Sequence, residues 1–222
     1  MPKVVASWSG GKESCLACYK AISEGFTVSH LLNFIIKDRL AFHGNPKLIY
    51  AQLQAIEIPF VQREITWNTY EKEFKNTINE LKRADVDGAV FGDIHLQEHR
   101  DWIERVCGEL DIKPYFPLWH ENPERILSSF VSQGFEATVV SVKANLFGKE
   151  WLGRRIDRNF IKDLCKRGNR LKIDLCGEFG EYHTFVINGP LFKRRLRILE
   201  SNKVLKSGYW FLDVSRFEII GK

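Results

Sequence analysis

Over the first 120 residues the hydrophobic positions fall into short continuous runs separated by stretches of helical period. The runs predict strands near Lys3–Trp8, Val28–Ile36, Val61–Ile65 and Gly88–Phe91, and the intervening periodicity predicts helices beginning at Lys12, Lys47, Tyr70 and Glu98. Thr69, followed by Glu71, reads as the N-cap of the third helix. Strands alternating with helices favour a parallel sheet covered by helices, a Rossmann-like α/β arrangement. Beyond Pro114 and Pro117 the pattern changes. A helix over Pro123–Gln133, a strand over Glu136–Lys143 and a helix over Asn159–Lys166 are followed by short segments at Lys172–Cys176, Glu181–Ile187, Leu196–Leu199 and Tyr209–Phe217. Gly177, Gly180, Asn188-Gly189-Pro190 and Ser207-Gly208 punctuate them. This predicts a smaller, β-rich α+β module, and hence two domains, residues 1–120 and 121–222.

Composition sets bounds on this picture. A chain of 222 residues with 44% hydrophobic content can bury a core, which excludes a disordered chain. The net charge of +5, with both signs interspersed, suits a soluble protein that meets anionic ligands but falls short of a dedicated nucleic-acid binder. Basic residues are densest at Lys193-Arg194-Arg195 with Arg197, and at Lys166-Arg167 with Arg170, where a solvated face is the simpler reading. No signal-peptide pattern opens the chain and no apolar run could span a bilayer, so a cytoplasmic protein without a membrane partner is expected. The five scattered cysteines give no disulfide framework; Cys15 and Cys18 lie one turn apart on the first helix and read as packing residues.

Candidate chemistry starts at Ser9-Gly10-Gly11-Lys12-Glu13-Ser14, between the first strand and the first helix. Glycines there let the backbone approach an anion, unpaired helix N–H groups point at it, the Ser9 and Ser14 hydroxyls can donate, and Lys12 adds charge. The spacing is not that of a Walker A loop. It resembles instead the PP-loop of N-type ATP pyrophosphatases, with Glu13 where that family usually has Asp. In a parallel sheet the loop after Trp8 and the loop after Phe91, which carries Gly92 and Asp93, point to the same edge. Asp93 reads equally as a Mg²⁺ ligand or a turn residue, Arg100 and Arg154 as phosphate or carboxylate clamps or as surface ion pairs, and Trp119 and Trp151 as core. His43 follows the second strand, where a nucleotide or substrate would lie.

A second dense patch is Gly177-Glu178-Phe179-Gly180-Glu181-Tyr182-His183-Thr184-Phe185. Two carboxylates and an imidazole so close can bind Mg²⁺, hold an ammonium or pass a proton. The PP-loop, Gly92-Asp93-Ile94 followed by His99-Arg100, Pro117-Leu118-Trp119, Trp151-Leu152-Gly153-Arg154 and this patch, in that order, resemble the diphthine–ammonia ligase family nearly end to end. The resemblance implies a PP-loop ATP-binding domain followed by a smaller substrate domain. It also implies ATP-dependent amidation of the diphthine carboxylate on elongation factor 2, with ATP, Mg²⁺ and ammonium as participants, nucleic acid outside the reaction, and a homodimer compatible with it.

On that reading Ser9, Gly10, Gly11, Lys12, Glu13, Ser14 and Gly92 bind ATP, and Lys12 stabilises the leaving pyrophosphate. Glu178 or Glu181 holds ammonium and takes its proton, while His183, Thr184 and His43 orient the adenylate or acceptor. Two other readings stand beside it: a PP-loop enzyme acting on a different carboxylate or a tRNA base, and a domain that binds ATP or AMP without turnover. The two glutamates and His183 would have no task in the last.

Overall fold

The computed structural model describes residues 1–37, 42–82 and 85–222. The chain divides into two compact units: Met1–Ser9, Glu13–Leu40 and Ile58–His120 form the first, and Gly10–Lys12, Ala41–Glu57 and Glu121–Lys222 the second.

In the first unit, β1 (Lys3–Ser7), β2 (Thr27–Ile36), β3 (Phe60–Ile65), β4 (Gly88–Val90) and β5 (Lys113–Tyr115) pair in the order β3-β2-β1-β4-β5, every pair parallel. This is the Rossmann-like sheet expected from the sequence. Strand order reverses between β1 and β4, so the loops leaving their carboxyl ends diverge and open a crevice there. β5 was not anticipated: it is three residues long with Pro114 at its centre, which only an edge strand tolerates. The helices here are α1 (Lys12–Ser23), which begins at the last residue of a second-unit segment, α3 (Tyr70–Lys82) and α4 (Gln97–Glu109). Val5, Phe74, Ile78, Phe91, Ile103 and Val106 form the centre of the apolar core between sheet and helices.

Thr69 is not the N-cap of α3. A 3-10 turn over Trp67–Thr69 precedes the helix, and Thr69 Oγ1 accepts the backbone N–H of Thr66 at 3.0 Å. Cys15 and Cys18 are wholly buried, and burial pushes the Cys18 thiol up to about 12, so neither is a nucleophile or a ready metal ligand.

The second unit holds α2 (Pro46–Ile56), which the sequence inserts between β2 and β3. Asn45 caps it by accepting from Leu48 N at 2.9 Å, and Pro46 opens it. α5 (Pro123–Ser132) repeats the Asn-Pro start with Asn122. β6 (Glu136–Lys143), β7 (Tyr182–Asn188), β8 (Arg194–Lys206) and β9 (Tyr209–Gly221) form an antiparallel sheet in the order β7-β6-β9-β8.

Two expectations are corrected here. Lys172–Cys176 is not a strand, because α6 (Arg158–Leu171) runs five residues beyond its expected end and the chain then turns. The segment expected at Leu196–Leu199 is a 13-residue strand in a long hairpin with β9; its outer part is exposed on both faces and shows no apolar alternation. No helix among the described residues is long and apolar enough to cross a membrane.

Candidate active site

The first unit contains a cavity of about 820 Å³ at the carboxyl edge of its sheet. Ser7 and Ser9 line it from the end of β1, Ile36 from β2, and Phe91 and Asp93 from β4, which places it at the reversal of strand order. Its aromatic wall is Trp67, Tyr70 and Trp102: Trp67 lies 5.8 Å from Tyr70 and Tyr70 5.6 Å from Trp102, ring centre to ring centre. These three come from different elements, and no local pattern marks them. Trp102 is fixed from behind, because its indole N–H donates to Glu71 at 3.0 Å while Arg105 grips the same carboxylate through both of its terminal nitrogens. Arg105 and Lys75 hold the Glu71 carboxyl down at about 2, so it stays an acceptor at any physiological pH.

Polar groups line the same cavity. Asp93 Oδ1 lies 3.1 Å from His99 Nδ1, and Ser9 and Ser14 share a hydrogen bond of 3.2 Å between hydroxyls. Burial, then the nearby Asp93 charge, pushes the Tyr70 hydroxyl up to about 12, so it remains a donor. Gly92 has a packing reason for its identity. A Cβ there would sit 2.9 Å from the Glu13 carbonyl carbon and 3.0 Å from Ser14 N, so only glycine lets the β4–α4 loop approach the first turn of α1. Glu13 itself lies in that first turn, where a carboxylate favours the helix dipole.

In the second unit the segment Gly10–Lys12 is tied to β7 and α2. Val186 N donates to Gly10 O at 3.0 Å, Gln52 Nε2 donates to Gly10 O at 3.0 Å and to Val186 O at 2.6 Å, and Gly11 is buried. Gln52, wholly buried on α2, is a positioning residue that sequence reasoning missed, since a polar residue on a helix face carries no sign of its burial. Thr184 is also fully buried, and its hydroxyl accepts Lys12 N at 3.1 Å instead of facing solvent. Lys12 is 2% exposed; its ammonium donates to Cys176 O at 2.6 Å and lies 4.4 Å from the centre of the Tyr182 ring. The loop therefore carries a fixed, desolvated positive charge.

The turn before β7 separates the two glutamates. Gly177 and Gly180 both have φ in the left-handed region, at +78° and +76°, and bend the chain so that Glu181 folds inward. Its two carboxylate oxygens accept Asp174 N at 3.1 Å and Phe179 N at 3.0 Å, and the residue is 5% exposed. Asp174 closes the other side by accepting Cys176 N at 2.8 Å and Glu178 N at 3.2 Å. Its signal in the sequence was the Asp-Leu-Cys-Gly run, an Asx-turn pattern. Glu178 is partly exposed.

The His183 ring packs at a tilt on Phe42 at 4.7 Å and meets His43 edge-on at 4.9 Å, and His43 Nδ1 lies 3.0 Å from Thr184 O. Burial, reinforced by His43, Lys12 and Lys143, holds His183 well below the usual imidazole range, so it is neutral at pH 7. Lys143 is a second missed residue: its ammonium donates to Phe179 O at 2.7 Å and its backbone N–H to Glu181 O at 2.9 Å, clamping the turn from β6.

The two arginines join neither cluster. Arg100 pairs with Glu104 at 2.6 Å and stacks on Trp119 at 4.7 Å, and it does not line the cavity. Arg154 pairs with Asp163 at 2.7 Å and covers Trp151 at 4.5 Å. Both guanidiniums are taken up by carboxylates and rings of their own surroundings. Among the described residues no group of three or more His, Cys, Asp or Glu could hold a metal ion by itself.

Comparison with known proteins adds the following. Residues 2–114 match the diphthamide synthase N-terminal domain and residues 122–220 the diphthamide synthase C-terminal domain. A diphthine–ammonia ligase of Rattus norvegicus is 27% identical, over 99% of this chain and 91% of that protein. One of Homo sapiens is 28% identical, over 96% of this chain and 89% of that protein. Among solved structures, one described as a predicted subunit of tRNA methyltransferase from Methanocaldococcus jannaschii is similar at a TM-score of 0.46 and 15% identity, covering 86% of this chain and 98% of that one.

Proposed function

Because the chain belongs to the diphthamide synthase family and is an ATP-dependent ligase forming a C–N bond, we propose that it amidates the diphthine carboxylate of elongation factor 2 by way of an acyl-adenylate. The observation that carries this reading is the cavity at the reversal of strand order, walled by aromatic rings and edged by the Ser9 and Asp93 side chains. Such a site suits a purine nucleotide: rings sandwich the base, and hydroxyls and helix N–H groups meet phosphate.

A carboxylate oxygen of the acceptor attacks the α-phosphorus, the bond to the bridging β-oxygen breaks and pyrophosphate leaves. Ammonia then adds to the acyl carbon and AMP departs. The buried ammonium of Lys12 acts on the charge that grows on pyrophosphate, and because it is fixed it needs no reorganisation. Ammonium must lose a proton before it attacks. Glu178, the more exposed of the two glutamates, is the base for that step, while Glu181 holds the turn in shape. Neutral His183 can direct the adenylate or the acceptor by a hydrogen bond without adding charge.

Mg²⁺ fits Asp93, a hard carboxylate in the cavity wall, provided that the ATP phosphates supply other ligands, since one or two carboxylates suffice in such sites. When bound it would neutralise phosphate charge. The test is incubation with α-labelled ATP, Mg²⁺, ammonium and elongation factor 2 carrying diphthine. One AMP and one pyrophosphate per amide formed is the expected result; ADP as product, or no AMP, overturns it. A tRNA or small carboxylate that elicits AMP in place of the factor would reassign the acceptor and leave the nucleotide chemistry standing.

A further inference from the structure

We infer that the outer half of β8, from Leu199 to Lys206, is the surface on which the acceptor protein docks, and that it fits an acidic, extended segment of that protein. The inference rests on the reading that the acceptor is a protein side chain.

Three observations of the second unit support it. First, the segment formed by the last two strands is net positive. Residues 193–222 hold eight Lys or Arg and three Asp or Glu, a net charge of +5 that equals the net charge of the whole chain. Several of these cations are spoken for: Arg197 pairs with Glu218 and Arg216 with Glu200, and Arg194 and Arg195 reach Glu57 and Glu136. Lys203 and Lys206, near the hairpin tip, stand exposed.

Second, β8 is the last strand of its sheet and pairs with β9 alone among the described residues. Every residue from Leu199 to Lys206 is exposed, on both faces of the strand, so its outer N–H and C=O groups face solvent and can take another strand. Lysine on an edge also discourages pairing with a copy of the same strand, but such protection does not call for apolar side chains. Leu199, Val204 and Leu205 are 40, 42 and 55% exposed here, and they give an incoming segment apolar area to cover.

Third, the same hairpin reaches the candidate chemistry. Val204 pairs with Phe211 and Lys206 with Tyr209, and the Tyr209 and Phe211 rings pack on Phe42, which in turn packs at a tilt on His183. A segment held on the outer strand would therefore be registered against the residues around His183. Charge complementarity selects an acidic partner, and like-charged surfaces would be rejected.

The experiment measures binding and turnover separately, with elongation factor 2 carrying diphthine. Wild-type protein, the double variant Lys203→Glu with Lys206→Glu, and Leu205→Ser are compared by direct binding at about 50 mM and about 300 mM salt, where screening should weaken a charge-led contact. The expected result is an affinity for the factor reduced at least about tenfold in the double variant, with KM for ATP unchanged. The Leu205→Ser protein should lose affinity less and keep the wild-type salt dependence. Thermal melting of both variants within about 1 °C of wild type shows that exposed positions were changed without unfolding the hairpin. If the factor is amidated and the double variant binds it as tightly as wild type, the docking surface is wrong while the function stands. If the factor is bound through Lys203 and Lys206 but not amidated, the function fails and the docking surface stands. No binding to the factor, or displacement of the factor by tRNA at lower concentration, overturns the docking surface.

Discussion

The cavity of the first unit and the glycine-bracketed turn of the second both present carboxylates, but they hold them in opposite ways. In the cavity, Glu71 is gripped by Arg105 and Lys75 and used to fix the Trp102 ring, and Asp93 shares a hydrogen bond with His99. In the turn, Glu181 and Asp174 are satisfied by backbone N–H groups, and Lys143 binds the carbonyl of Phe179 rather than a carboxylate. The first region is a container shaped by side chains from several elements. The second is a backbone device that leaves one acid, Glu178, partly exposed. Ligand affinity should therefore follow substitutions in the cavity, and the rate of amide formation those in the turn.

The largest effect is expected at Lys12. Lys12→Ala removes the buried charge proposed to act on the leaving pyrophosphate, and loss of such a group costs about 100- to 1000-fold in kcat. Single-turnover release of AMP measures it; a rate within threefold of wild type would remove Lys12 from the chemistry. Next comes Glu178→Gln, expected to lower kcat about 100-fold with the KM for ATP and the melting temperature unchanged. A variant that instead loses ATP affinity would erase the division between the two regions. Glu181→Ala should behave differently from its neighbour. Two backbone N–H groups in a partly buried turn lose their acceptor, so the folded state loses about 1–2 kcal/mol, read from urea unfolding. If Glu181→Ala unfolds at the wild-type midpoint, the turn is not held as described and Glu181 returns as a candidate base.

The sequence showed the second region more clearly than the first. Gly177 and Gly180 announced an irregular turn, and both adopt left-handed φ. The different fates of Glu178 and Glu181 were not legible, because they depend on which carboxylate meets the N–H groups of Asp174 and Phe179. In the cavity the loops after β1 and β4 were expected from strand alternation alone. Trp67, Tyr70 and Trp102 were not, since rings from the segment after β3 and from α4 meet only once the sheet is assembled. The same holds for β8: Glu200–Lys206 has no apolar alternation, and its strand exists through pairing with β9. Hydrophobic period reports burial, so segments exposed on both faces escape it.

A smaller effect is expected in the cavity. Trp67 is 62% exposed at its rim, and Trp67→Ala should raise the KM for ATP about tenfold, the worth of one stacked base, with kcat little changed. A fall in kcat at unchanged KM would place the adenine elsewhere.

The smallest effect separates the two regions through pH. His183 in the second unit is held well below the ordinary imidazole value, by burial first and then by His43, Lys12 and Lys143; His30 in the first is lowered by burial and by Lys3. For each, the unfolded chain takes up a proton near pH 6.5 while the folded chain does so only at lower pH. The unfolded state therefore binds more protons below that pH, and stability falls as pH drops from about 7 toward about 5. The downward displacement is larger at His183, so His183→Gln should flatten the dependence of melting temperature on pH more than His30→Gln does. The double variant should be flatter than either. Equal flattening by the two single variants would mean that His183 is not displaced further than His30, and the burial and positive surroundings assigned to it would have to be withdrawn.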